Sequence, residues 1–257
     1  MCFDHDSRPP IAPIAGGALD TMSLVLTAAD RNRFAAFRAR ANEPSGAGVV
    51  ILPDVRGLHP YYEELALRFA EHGIDALALD WFGRTAGPEP RGDDFDYTPH
   101  PALTTWAGIR ADITAAVEEI RTPEDGRPAP GSVFTLGFCM GGRMSFLAGT
   151  LGLGLAGVMG MYGTLAGPWR NDAPAPVDVA SGMASPVLGL FGGADTVITP
   201  EAIAAFDDGL GAAGVDHRLV TYPGAPHSFF DRKATDFAAE SAAAWDEVLA
   251  FIRARTA

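Results

Sequence analysis

The stretch Val133-Phe134-Thr135-Leu136-Gly137-Phe138-Cys139-Met140-Gly141-Gly142 decides the fold. An apolar strand pattern runs into a cysteine that has a glycine two positions before it and another two positions after it, and a helical pattern follows over residues 143–148. A turn this tight forces its apex residue toward strained φ and ψ angles and leaves no space for neighbouring Cβ atoms. The pattern predicts a nucleophile elbow with cysteine at the apex, where serine is more usual.

Two polar residues follow in the order that such an elbow requires, which is nucleophile, acid, histidine. The apolar run 186–191 leads to Asp195, and the strand pattern His217–Tyr222 leads to His227. The carboxyl ends of parallel strands meet at one crevice, where ligands bind. We therefore expect Cys139, Asp195 and His227 to converge, although 56 and 32 positions separate them along the chain.

The rest of the chain alternates between strand and helix patterns, which predicts parallel strands with helices on both faces. Further strands are expected at 23–27, 33–40, 49–52, 76–80 and 158–161, and helices at 61–72, 104–121 and 200–213. The first two strands read as an antiparallel hairpin at the edge of the sheet. The irregular stretch 81–101 is too long for a simple connection, so we interpret it as a lid beside the site, and 163–185 is similar in character.

With these motifs the chain resembles the dienelactone hydrolases, a cysteine-nucleophile branch of the α/β-hydrolase fold. The resemblance runs from about residue 49 to the C-terminus and rests on three motifs: Gly-Phe-Cys-Met-Gly-Gly, Gly-Gly-Ala-Asp and Ala-Pro-His-Ser-Phe. It implies hydrolysis of a small lactone or ester through a thioester acyl-enzyme, with Cys139 as nucleophile, His227 as base and Asp195 as its orienter. The length favours one domain, which we assign to 19–257 after a flexible tail at 1–18.

Attack on a carbonyl places negative charge on its oxygen, and this fold meets that charge with two backbone N–H groups. Here the predicted donors are Met140, which follows the nucleophile, and Val55, in the loop after an earlier strand. Asp54 takes the place of a glutamate that the family resemblance implies as a resting partner of the thiol. An alternative is that the Asp54 carboxylate caps the following helix.

The residues expected to bind substrate lie in the presumed lid, beside the elbow and around the histidine: Arg84, Arg91, Arg143, Tyr162, Trp169, Phe229 and Arg232. The family resemblance implies an arginine four residues after the histidine that holds a substrate carboxylate. This chain has Asp231 at that position, with its arginine displaced to Arg232. We therefore expect small uncharged esters or lactones to be accepted at least as well as carboxylated ones.

Composition excludes some classes of partner. The 257 residues carry a formal charge of −13, which argues against nucleic acid, whose phosphates require a basic surface. No stretch has the length of a membrane span, and the first ten residues lack the pattern of a signal peptide. With only Cys2 and Cys139 available for disulfides, we expect a reducing cytoplasm. We expect no metal and no cofactor, and the chain as a monomer or homodimer.

Other functions stay open at this point. A general small-ester carboxylesterase of the same fold fits the same motifs. Carbon–halogen cleavage needs a carboxylate nucleophile where this chain has Cys139. A redox protein, in which Cys139 is only an oxidisable thiol, usually has a resolving cysteine nearby, and the other cysteine is Cys2 in the presumed tail.

Overall fold

The computed structural model describes residues 7–14, 20–92, 94–123 and 126–257. Within these residues the strands are β1 (Asp20–Thr27), β2 (Arg33–Arg40), β3 (Ala47–Leu52), β4 (Asp75–Leu79), β5 (Ser132–Phe138), β6 (Gly157–Met161), β7 (Val187–Gly192) and β8 (His217–Tyr222). The α-helices are α1 (Pro60–Glu71), α2 (Gly83–Ala86), α3 (Trp106–Ile120), α4 (Met140–Ala148), α5 (Pro176–Val179), α6 (Pro200–Ala212) and α7 (Ala238–Ala254). Short 3₁₀ turns occupy Pro101–Leu103 and Ala180–Gly182.

The strands form one mixed sheet in the order β1-β2-β4-β3-β5-β6-β7-β8. From β4 to β8 every neighbouring pair is parallel, whereas β1 pairs with β2, and β2 with β4, in antiparallel fashion. The fold class is therefore α/β, with a mostly parallel sheet, flanking helices and an N-terminal antiparallel hairpin at the edge. Both the parallel alternation and the edge hairpin predicted from the sequence are confirmed.

The central strands β3 to β7 are buried along their whole length, as expected for a parallel sheet covered on both faces. Side-chain caps start two of the covering helices: Thr105 accepts from Gly108 N–H at α3, and Thr199 accepts from Ala202 N–H at α6. The sequence analysis left α7 unassigned. Its buried residues include Trp245, whose ring packs 4.7 Å from that of Phe69 on α1.

Part of the predicted N-terminal tail is held against α1. Arg8 forms an ion pair with Glu64, and Ile14 N–H donates to Glu71. Residues 1–6, with Cys2, and 15–19 lie outside the described part of the chain. The described section of the tail, 7–14, is thus tied to the body of the protein.

Candidate active site

The carboxyl edge of the parallel strands gathers the side chains that the sequence singled out. Cys139 follows β5, Asp195 follows β7 and His227 follows β8, while Asp54 follows β3 and Tyr162 follows β6. Because these strands are neighbours and parallel, their ends lie side by side. The topology therefore brings residues from five separate parts of the sequence to one crevice.

The backbone at Cys139 is strained, with φ 52° and ψ −108°, a conformation that L-residues rarely adopt. Glycine is needed on both sides of it. A Cβ on Gly137 would lie 1.9 Å from the carbonyl oxygen of Gly141, and a Cβ on Gly141 would lie 2.0 Å from that of Leu52. The close approach of α4 to the ends of β3 and β5 therefore depends on these glycines, and it sets the thiol at the start of α4.

His227 links the cysteine to the carboxylate. Its Nδ1 lies 2.7 Å from Asp195 Oδ2, and its side chain also hydrogen-bonds to Cys139. Burial lowers the pKa of His227, but these two hydrogen bonds and the negative charges of both partners outweigh burial and raise that pKa to about 10. The imidazolium form of His227 is thus stabilised wherever these two partners carry negative charge.

The two oxygens of the Asp195 carboxylate have different partners: Oδ2 faces His227, and Oδ1 is bound by the backbone. Its Oδ1 accepts from Val197 N–H at 2.7 Å and from Ile198 N–H at 3.3 Å, which fixes the carboxylate in the loop. Burial raises the pKa of Asp195, yet the hydrogen bonds from His227 and from these backbone groups give a net lowering. The carboxylate therefore remains ionised and aligns the Nδ1 side of the ring.

Of the two predicted oxyanion donors, Val55 lies in the loop after β3 and Met140 lies at the start of α4. Met140 is the first residue of α4, where backbone N–H groups have no intrahelical acceptor. On either side of Val55, Asp54 N–H donates to Tyr62 Oη at 3.0 Å and Arg56 N–H donates to Asp54 Oδ1 at 2.9 Å. The neighbouring N–H groups are thus occupied, and the Val55 N–H lies between them.

Asp54 is fully buried at the end of β3. Its carboxylate accepts from Arg56 N–H and so closes a tight turn in its own loop, before α1 begins at Pro60 with His59 as the N-cap. Its role toward the thiol stays a prediction.

Tyr162 and Asp231 form a buried pair that the sequence analysis did not foresee. Tyr162 has φ 39°, its ring lies 5.1 Å from that of His227, and its hydroxyl donates to Asp231 Oδ2 at 2.9 Å. Asp231 is only 5% exposed. Burial and the negative charge of Asp54 raise the pKa of Asp231 well above 3.8. The sequence shows an acid beside the histidine loop, but it does not indicate that Tyr162 is the residue bound to it.

Arg84 and Arg91, the arginines of the presumed lid, are both paired with aspartates. Arg84 forms ion pairs with Asp30, in the β1–β2 turn, and with Asp112 on α3. Arg91 is 6% exposed and pairs with Asp80 at 2.8 Å. These contacts are all with groups of the protein, so they give no support to the predicted contact of either arginine with substrate.

Arg143 is completely buried and braces the second irregular stretch. Its guanidinium donates to the carbonyl oxygens of Pro174, Gly167 and Ala173, and lies 5.9 Å from the ring centre of Trp169. Burial lowers the pKa of Arg143 to about 10. Its contacts are therefore those of a side chain that braces this loop.

The last two predicted substrate residues lie close to His227 in the chain but differ in environment. Phe229 is fully buried and packs with Tyr162 and Tyr222, so it belongs to the core beneath the histidine loop. The Arg232 side chain is exposed, while its backbone N–H donates to Asp231. The contacts described for these two residues are with residues other than Cys139.

The chain is similar to known proteins over most of its length. The model of the dienelactone hydrolase family matches residues 34–255. A relative from Salmonella typhimurium, named "Putative carboxymethylenebutenolidase", is 30% identical over 76% of this chain and 72% of its own length. A relative of the same name from Yersinia pestis is 31% identical over 78% and 75% of the two chains.

Among solved structures, the "Putative Dienelactone Hydrolase" from Klebsiella pneumoniae superposes with a TM-score of 0.77 at 23% identity. The superposition covers 92% of this chain and 99% of that one, so nearly the whole fold is shared. At this level of identity the likeness shows the fold alone.

No helix within the described residues is long and apolar enough to cross a membrane.

Proposed function

Because the chain belongs to the dienelactone hydrolase family and is a hydrolase, we propose that it cleaves small lactones or carboxylic esters through Cys139, His227 and Asp195. The observation that carries this proposal is the strained elbow, which presents the thiol at the start of α4 to a histidine held by a buried carboxylate. Backbone strain at a non-glycine residue persists where the surrounding structure imposes it, typically at sites of function.

The first half of the reaction acylates the cysteine. The Cys139 thiolate attacks the carbonyl carbon and forms the S–C bond, while the carbonyl π electrons move to oxygen. Met140 and Val55 N–H groups stabilise that oxyanion. Its collapse breaks the ester C–O bond, and the leaving alkoxide takes the proton from His227 Nε2, which leaves a thioester and a neutral histidine.

The second half hydrolyses the thioester. Neutral His227, oriented by Asp195, takes a proton from water as the resulting hydroxide attacks the thioester carbonyl. Collapse of the second tetrahedral intermediate breaks the C–S bond and releases the carboxylic acid. The thiolate and the imidazolium are then both restored, so the cycle balances without a cofactor.

The partners of three arginines that the sequence assigned to substrate bear on the choice of substrate. Arg84 and Arg91 are paired with aspartates, and Arg143 donates to backbone carbonyls. Asp231 adds a buried acid beside the histidine. This distribution supports an uncharged lactone or ester as substrate in preference to a carboxylated one, because an unpaired carboxylate would meet no free guanidinium among these.

The proposal has three further parts: the role of Asp54, the location of the protein and its domain organisation. Asp54, buried at the end of β3, is proposed to keep Cys139 a neutral thiol until substrate arrives, when the thiol gives its proton to His227 and becomes the attacking thiolate. Asp54→Asn is therefore expected to change the rate at which Cys139 is alkylated. A thiolate mechanism requires a reduced cysteine, which supports a cytoplasmic location. Residues 19–257 are proposed to act as one domain.

A substrate panel tests the proposal. 4-Nitrophenyl hexanoate and 4-nitrophenyl hydrogen adipate have the same leaving group and acyl chains of equal length, but the adipate ends in a carboxylate. We expect wild-type protein to hydrolyse the hexanoate with kcat/KM at least equal to that of the adipate, and Cys139→Ala to hydrolyse neither. Unchanged turnover in Cys139→Ala would contradict the mechanism, and a preference for the adipate of about a hundredfold, or roughly 2.7 kcal/mol, would contradict the substrate class.

A further inference from the structure

Asp80 lies just beyond β4, between the presumed lid and the loop that carries Val55, and its carboxylate is fully buried. Asp80 Oδ1 accepts from Leu58 N–H at 3.0 Å, and Asp80 Oδ2 accepts from Phe82 N–H at 3.0 Å. One side chain therefore holds both the end of the oxyanion loop and the beginning of the lid.

The oxyanion loop is fitted closely to this carboxylate. Gly57 has φ 80°, and a Cβ at that position would lie 2.4 Å from Asp80 Oδ1. Gly57 N–H donates back to the carbonyl oxygen of Asp54 at 3.2 Å, which closes the turn that contains Val55. The direction of the Val55 N–H thus depends on a turn whose far end rests against Asp80.

Arg91 supplies the positive charge for Asp80 and ties the lid to it. Its Nη2 donates to Asp80 Oδ2 at 2.8 Å and to Gly87 O at 2.6 Å, and its Nη1 donates to Ala86 O at 3.1 Å. The guanidinium also lies 4.8 Å from the ring centre of Phe95. A planar fork that meets three acceptors at once is a geometry that arginine provides and lysine does not.

We propose that Arg91 is a positioning residue for the hydrolytic reaction: through Asp80 it holds the Leu52–Leu58 turn, and so orients the Val55 N–H toward the oxyanion. This inference rests on the proposed function, since it assigns a task to the same oxyanion site. It differs from the substrate-binding role expected from the sequence, because the guanidinium of Arg91 binds groups of the protein itself.

The kinetic signature of such a role is specific. A backbone donor that acts on the oxyanion stabilises the transition state more than bound substrate, so its displacement lowers kcat with little change in KM. Alkylation of Cys139 by iodoacetamide forms an S–C bond as iodide leaves and builds no oxyanion. That reaction therefore reports Cys139 and its partners His227 and Asp54, and not the oxyanion donors. Asp54 has an anchor apart from Asp80, because its N–H donates to Tyr62 Oη at 3.0 Å, so its position is expected to survive the loss of Arg91.

The test compares Arg91→Met and Arg91→Lys with Arg218→Met, which removes an arginine from an exposed ion pair with Glu247. For 4-nitrophenyl hexanoate we expect Arg91→Met to lower kcat about tenfold or more, less than the ~10²–10³ seen when an oxyanion donor is lost outright. Arg91→Lys should lie between that variant and wild type, and Arg218→Met should equal wild type. The iodoacetamide rate should be the same in all four proteins.

Other outcomes would overturn the inference. A raised KM with unchanged kcat would return Arg91 to substrate binding, and a parallel fall of kcat and alkylation rate would mean general damage to the site. Unchanged kinetics in Arg91→Met would leave it without a role in the reaction. If Arg91→Met does not fold, Arg91→Lys carries the same comparison. A wild-type protein that hydrolyses no ester would refute the proposed function itself, which the alkylation assay does not depend on.

Discussion

Asp231 is a residue of this site that lowers the stability of the folded chain when it ionises. Its carboxyl is buried beside His227 and accepts the Tyr162 hydroxyl, in the field of Asp54. Burial and that neighbouring charge raise the pKa of Asp231 well above the 3.8 of a free carboxyl. A group that binds its proton more tightly in the folded chain opposes folding as it ionises, so stability falls as pH rises from about 4 toward the folded pKa.

Asp231→Asn is therefore expected to raise the melting temperature at neutral pH. Asparagine still accepts the Tyr162 hydroxyl but does not ionise. The gain should be absent near pH 4 and should grow as the pH rises to about 7. Thermal unfolding over this pH range measures it, with Asp208→Asn, an exposed residue on α6, as the matched control. A gain that is equal at every pH would show that Asp231 is not a buried, raised acid.

At this same scale, local motifs predicted that Cys139, Asp195 and His227 converge, and His227 does bond to both of the others. Their catalytic roles stay a prediction. The sequence did not indicate the bond between Tyr162 and Asp231, 69 positions apart, or the pairing of Arg91 with Asp80. A charged residue's type predicts that it needs a partner, but only the packed fold selects which one.

At the scale of elements, the crossing of α4 over the ends of β3 and β5 is the feature on which the site depends. The sequence indicated it through Gly137 and Gly141, because both lie where backbone approaches backbone. The position of α7, by contrast, was not assigned from the sequence, although its buried face packs on α1 and the sheet. Motif-based reasoning favoured the segments that contain chemistry over a helix that only covers the core.

Gly141→Ala tests this crossing. The new methyl group would lie 2.0 Å from Leu52 O and 2.4 Å from Pro53 O, and backbone atoms do not yield as a flexible side chain does. We expect the free energy of unfolding to fall by an amount at the upper end of the about 1–3 kcal/mol typical of overpacking. This corresponds to a melting temperature lower by several degrees. Gly131→Ala, where no atom lies within 4 Å of the added Cβ, should stay within about 1 kcal/mol of wild type. Equal stability of the two variants would contradict the tight crossing.

Over the whole molecule, the two ends of the parallel strands have different tasks. The carboxyl ends hold the candidate catalytic residues, while Asp75, at the amino end of β4, joins the edge hairpin to the rest of the sheet. Asp75 pairs with Arg40, which is 1% exposed at the end of β2, and with Arg127. Its Oδ1 also accepts from Ala41 N–H at 2.9 Å. Removal of this carboxylate would break the buried ion pair of Asp75 with Arg40 and its pair with Arg127.

Asp75→Asn is expected to lower the free energy of unfolding by about 3–5 kcal/mol, as for other broken buried pairs. Arg218→Met, which breaks the exposed pair with Glu247, should cost no more than about 1 kcal/mol. Urea unfolding measures both. Well below the unfolding transition, kcat/KM of Asp75→Asn should equal that of wild type, because Asp75 lies at the other end of the strand. Lost activity in a fully folded Asp75→Asn protein would contradict this division.

The central claim is that Cys139 carries the acyl group during turnover. Rapid acid quench of wild-type protein with 4-nitrophenyl hexanoate, followed by peptide mass spectrometry, tests it most directly. The account predicts one hexanoyl group on Cys139, released by hydroxylamine as expected for a thioester, and more of it in His227→Ala if deacylation slows more than acylation. Steady hydrolysis with no acylated Cys139 at any quench time, or an acyl group on another residue, would contradict the account.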